Sequence, residues 1–152
     1  MDRSGKDRHR EPEGEQEERG RPKGVTLDLS GREMTTFEAP KHKQEAVAKL
    51  LLQSNLLTSF SASAAGAWRD TLTFVDLSYN QLDCIPLFQR PASLFSGPLR
   101  ARSEPVSWPH LRVLKMAHNK LTHINPDRLP LHLPELCALI LNDNDLSPHV
   151  CF

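Results

Sequence analysis

Five segments of this chain carry one spacing of apolar residues, L-x-x-L-x-L-x-x-N-x-L. A spacing that returns at a regular interval builds a stack of like units, because no single unit can bury its apolar side alone. The clearest copies are Leu72, Val75, Leu77, Asn80, Leu82 and Leu111, Leu114, Met116, Asn119, Leu121. A third reads Leu136, Leu139, Leu141, Asn144, Leu146, and a fourth Val47, Leu50, Leu52, Asn55, Leu57. A degenerate first copy reads Gly24, Leu27, Leu29, Arg32, Met34, with arginine in the Asn slot. Four copies add an apolar residue five places after that slot: Phe37, Phe60, Ile85 and Ile124. The fifth has His149 there and departs from the pattern.

The copies begin at residues 24, 47, 72, 111 and 136, so the steps are 23, 25, 39 and 25. The long step is one ordinary period plus about fourteen residues, which reads as an insertion. Within each copy the L-x-L core alternates with period two, as in a strand buried on one side. The inward pairs are Leu27 and Leu29, Leu50 and Leu52, Val75 and Leu77, Leu114 and Met116, and Leu139 and Leu141. Where the chain turns off the strand it leaves backbone donors and acceptors beneath it. An asparagine side chain both donates and accepts, so it can bridge neighbouring turns. Arg32 cannot accept a hydrogen bond, and the expected solution for the first copy is exposure. The return segments are expected to be extended or 3₁₀, since Pro126, Pro130 and Pro134 break helices. Around Glu45–Leu51 the composition favours helix while the phase demands strand from about Lys49. A short helix over Lys41–Ala48 is the accompanying expectation.

The chain has 152 residues, 19 Lys+Arg and 19 Asp+Glu, and no net charge. That argues against direct nucleic-acid binding, which calls for a basic excess. Residues 1–22 alternate acids and bases with no large apolar side chain beyond Met1, so they read as a charged, disordered tail. Residues 23–152 form the repeat domain, with a Pro/Arg-rich inserted loop at about 90–107. No apolar N-terminal core marks a signal peptide, and no apolar run is long enough to span a membrane. Cys84, Cys137 and Cys151 are an odd, unclustered set, which fits a reducing compartment; the cytoplasm is the expected location.

On these copies the chain resembles a leucine-rich repeat protein of the intracellular type. Leu27-Asp28-Leu29-Ser30-Gly31-Arg32 is similar to the L-x-L-S-G-R of opening repeats, and Val75-Asp76-Leu77-Ser78-Tyr79-Asn80 to the L-D-L-S-x-N core. Leu133-Pro134-Glu135-Leu136 resembles the L-P-x-L lead-in, with Trp108-Pro109-His110-Leu111 in the same phase. The resemblance covers residue 24 to about residue 150. It implies an α/β solenoid of about five repeats, with a parallel sheet on the concave side and an irregular or short-helical convex side. It also implies a function in binding other proteins.

The phase writes out the concave face. Leu51, Phe74, Val113 and Ile140 are outward positions with apolar side chains, and strands about 4.8 Å apart would join them in an oblique patch. Asp76, Lys115, Tyr79 and His118 rim it. An apolar centre with a polar rim is the composition of a protein-binding surface. Strand propensity alone accounts for the same residues in a surface without a role. The carboxylates Asp28 and Asp76 lie two strands apart with Leu51 between, and read as structural. In the insertion, Arg100-Ala101-Arg102-Ser103-Glu104-Pro105 makes Ser103 a candidate phosphorylation site. Eight residues follow Asn144, with no visible cap for Leu139, Leu141 and Leu146. Truncation, a covering partner or second copy, or a tail folded through Val150 and Phe152 are the alternatives.

No nucleophile and base stand together, and the histidines are scattered. Cys137, His149 and Cys151 match no zinc spacing. Gly31 follows a strand without a phosphate-cradling motif after it. The expectation is a non-catalytic module with no cofactor or metal, binding a protein partner and neither nucleic acid, membrane nor small-molecule substrate. The alternative is an assembly subunit of a ciliary, cytoskeletal or ribonucleoprotein complex, contacting through the insertion or the open C-terminal edge.

Overall fold

Alternation along each short strand sets the architecture. A computed structural model describes residues 24–39, 45–60, 62–85, 107–124 and 129–147. Its strands are β1 (Val25–Asp28), β2 (Val47–Leu51), β3 (Phe74–Asp76), β4 (Val113–Lys115) and β5 (Ala138–Ile140). They form one sheet in chain order, every neighbouring pair parallel. The chain is therefore a parallel-sheet solenoid with little helix. The tail, the inserted loop with Ser103, and Val150 and Phe152 lie outside the described residues.

Strand register follows the sequence phase. Leu27 pairs with Leu50, Leu50 with Val75, Val75 with Leu114 and Leu114 with Leu139. The long step between β3 and β4 leaves this register undisturbed. Leu50, Leu52, Val75, Leu77, Leu114 and Met116 are all fully buried, as the inward reading requires. Leu29, Leu139 and Leu141, in the first and last turns, are half-buried. Below the sheet, aromatic rings extend the core: Phe37 stacks on Phe60 at 5.3 Å, and Phe60 meets Trp108 edge-on at 6.2 Å.

The asparagines stitch turn to turn. Asn80 accepts from the Leu57 N–H at 3.0 Å and donates to the carbonyls of Leu52 and Leu77. Asn119 repeats this with the Leu82 N–H and the Leu77 carbonyl, and Asn144 with the Leu121 N–H and the Met116 carbonyl. Asn55 serves the first turn, accepting from the N–H groups of Arg32 and Met34. Arg32 itself is exposed, and its guanidinium donates to the Asp28 carbonyl at 3.3 Å. With no strand before β1 among the described residues, an Asn there would have no turn to reach back to.

Two expectations about helix need correction. Glu45 and Ala46 are not helical, and Val47 and Ala48 already belong to β2, so no helix runs through to Ala48; residues 41–44 lie outside the described residues. Burial of Val47 and Leu50 beside β3 outweighs the helix preference of that stretch. The Ala48 position is skipped in the pairing, since Val25 faces Val47 and Thr26 faces Lys49. A Cβ at Gly24 would come within 2.7 Å of the Ala48 nitrogen, so glycine is needed where the chain enters beside that irregularity. Conversely, Leu129–His132 forms one α-helical turn despite Pro130. Proline in a first turn gives up only an N–H that has no intrahelical acceptor. The other return element, a 3₁₀ helix at Ala62–Trp68, is of the expected type and is anchored by buried Ala65 and Trp68.

Candidate interaction surface

Alternation that sends Leu50, Val75 and Leu114 inward sends their neighbours to the open face of the sheet. Register then fixes who stands beside whom. Lys49, Phe74, Val113 and Ala138 form one row; Leu51, Asp76, Lys115 and Ile140 form the next. Phe74 and Val113 are directly paired and half-buried, and Leu51 is half-buried as well. Ile140 is exposed. Phe74 and Val113 thus make a continuous apolar centre, while Asp76 and Lys115 stand between Leu51 and Ile140. The patch is two flanking aliphatics around a central pair, with charge set into it.

That charge is organised. The Lys115 ammonium lies 3.8 Å from an Asp76 carboxylate oxygen and 5.3 Å from the Phe74 ring centroid. A cation over an aromatic face gains up to about 1 kcal/mol at an exposed site. The other Asp76 oxygen accepts from the Ser78 N–H at 3.0 Å, tying the strand exit into an Asx turn. Asp28 does the same one edge over, accepting from both the Ser30 N–H at 3.0 Å and the Ser30 hydroxyl at 2.6 Å. The Ser30 hydroxyl, then its N–H, hold the Asp28 carboxyl below its ordinary pKa, with Arg32 adding to them.

Beyond the strands the chain turns a left-handed corner before each asparagine. Ser54, Tyr79, His118 and Asp143 have φ of 58°, 56°, 52° and 56°, and Gly31 takes the slot in the first turn at 62°. A non-glycine residue there is strained, and a bulky one is uncommon. Two of these corners carry rings, and the rings meet. Tyr79 and His118 stack at 4.2 Å with planes 14° apart, and His118 Nε2 lies 3.2 Å from the Asp143 carboxylate. Tyr79 remains more than half exposed.

The structure brings the sequence-derived candidates into two groups: Phe74, Val113, Asp76 and Lys115 in the centre, Tyr79 and His118 on the rim. Leu51 and Ile140 flank the first group. Asp143 joins the second group and was missed. Its signal was its slot, directly before the asparagine, which aligns it with His118 and Tyr79. Among the described residues no group of three or more His, Cys, Asp or Glu could hold a metal ion, and no helix is long and apolar enough to cross a membrane.

No protein-family model matches the chain. It is similar to the G-protein coupled receptor GRL101 of Lymnaea stagnalis, with 32% identity over 65 residues. Those residues are 43% of this chain but 6% of the receptor, so the chain spans a small fraction of that protein's length. Shared by sequence spacing, strand register and asparagine bonding is one conclusion: this is a repeat protein built as a parallel-sheet solenoid.

Proposed function

We propose that the chain is a leucine-rich repeat protein of the intracellular type, a non-catalytic cytoplasmic module that binds a protein partner through the concave, open face of its sheet. One observation carries this reading: Phe74 and Val113 stand side by side on the open face, flanked by Leu51 and Ile140 and edged by charged and stacked groups. An apolar centre that excludes water, with Asp76, Lys115, Tyr79 and His118 around it, divides affinity from selectivity. No cofactor, nucleic acid, membrane or small-molecule substrate enters the proposal.

Capture from a cytosolic extract tests it, using the intact chain beside Phe74→Glu after circular dichroism shows that both fold alike. The expected result is a stable partner retained by the intact chain and lost by the variant. Leu77→Glu should instead unfold the domain, because that side chain is fully buried. Equal unfolding by both changes would overturn the assignment of faces. A second reading makes the chain an assembly subunit that contacts through the insertion or the end of the sheet. It is favoured by Leu146, which is 37% exposed where Leu57, Leu82 and Leu121 in the same slot are buried. Deleting residues 90–107 would abolish capture if the insertion makes the contact, and leave it intact if the open face does.

A further inference from the structure

Among the described residues, the charged groups on the open face of the sheet have counterparts, with one exception. Asp76 lies against the Lys115 ammonium, and Lys115 in turn over the Phe74 ring. Asp28 accepts from Ser30 and is drawn to Arg32. Asp143 is met by His118 and by the Asn142 amide. The exception is Lys49, exposed on β2, whose ammonium has no ion pair or hydrogen bond among the described residues. Register places this bare charge directly opposite Phe74, at the centre of the apolar patch. Neighbouring strands stand about 4.8 Å apart. A partner that seals water from Phe74 and Val113 therefore covers the Lys49 side chain as well. Covering an ammonium without supplying an anion removes its hydration and returns nothing. Lys115 carries its own counter-ion into such a contact; Lys49 carries none.

We propose that the open face selects an acidic segment of a separate protein. That segment sets a large apolar side chain on Phe74 and Val113 and, from an adjoining residue, a carboxylate on Lys49. The proposal rests on the open-face reading above and adds the partner's chemistry, with Lys49 as the residue that sets specificity. Neither long stretch of this chain outside the described residues has that composition. Residues 1–22 hold Glu11, Glu13, Glu15, Glu17 and Glu18, but no large apolar side chain beyond Met1. Residues 86–106 hold Leu87, Phe88, Leu94 and Phe95, but with Arg90, Arg100 and Arg102 against Glu104 alone. A second copy fits no better. The carboxylates that its open face would bring are Asp28, Asp76 and Asp143, which are already engaged.

The experiment selects from a random-peptide display library on the full chain, then measures the best binder as a free peptide by fluorescence anisotropy. The expected peptides place Asp or Glu beside Leu, Ile, Phe or Met. Lys49→Glu alters an exposed side chain, and circular dichroism should show the fold unchanged. It should weaken the peptide by at least about tenfold. Lysine in place of the peptide's carboxylate should weaken binding to the intact chain and restore binding to Lys49→Glu. Phe74→Glu keeps the two ideas apart. Peptides that need Phe74 but bind Lys49→Glu unchanged, or that carry Lys or Arg in place of the acid, overturn this proposal and leave the open face as the binding site. Peptides that bind Phe74→Glu as tightly as the intact chain overturn both. Self-association of the intact chain that Lys49→Glu abolishes makes a second copy the occupant and overturns the proposal, as does a selection that enriches no peptide.

Discussion

The residues before each asparagine bear the clearest local strain in the molecule. Ser54 sits at φ 58° on the surface, where a side chain gains little. Ser54→Gly should therefore stabilise the fold by up to about 1 kcal/mol in chemical denaturation, since glycine adopts this conformation without a Cβ clash. Gly31→Ala should cost about 1 kcal/mol, and it isolates the backbone term because a Cβ there meets nothing within 4 Å. Tyr79 and His118 keep the same strained corner while presenting stacked rings. Asp28 adds a pH dependence of known sign. Its folded-state pKa is lowered, so the contribution is present at neutral pH and is lost as pH falls through the lowered value. A carboxyl NMR titration should find its midpoint below that of an ordinary aspartate, and Ser30→Ala should move it upward.

At the level of elements, the asparagine bridges do what the short strands cannot. Three-residue strands form few ladder bonds, and Asn80 alone gathers one N–H and three carbonyls from two turns. Asn80→Ala should cost roughly 3 kcal/mol, because it strands buried groups on both turns. Asn144→Ala should cost less, since its surroundings are part-exposed; urea unfolding of the two variants measures the difference. The strands, their inward faces and these bridges were legible in the sequence because each is a property of spacing. The irregularity at Ala48 and the helical turn at Leu129–His132 were not. Both depend on how one segment fits its neighbour, and a propensity read along the chain carries no such information.

For the molecule as a whole, the candidate surface was legible as a set of residues but not as contacts. Period two says that Phe74 and Lys115 face outward. It does not say that the ammonium settles over the ring, or that Tyr79 and His118, 39 residues apart in sequence, lie flat against each other. Those facts depend on which side chains successive turns place in adjacent slots. The same register makes a prediction about tolerance. One residue inserted between Phe74 and Val75 swaps inward and outward faces and should abolish cooperative unfolding. Doubling the inserted stretch at about 90–107 should cost only about 0.6 kcal/mol. The long step there already leaves Phe74 opposite Val113, as evenly as any other pair. The solenoid thus keeps time by its strands and is indifferent to the length of the rests between them. That makes the inserted stretch at about 90–107 the natural splice point for foreign sequence, a place where a reporter or a second binding specificity could be written in without disturbing the register on either side.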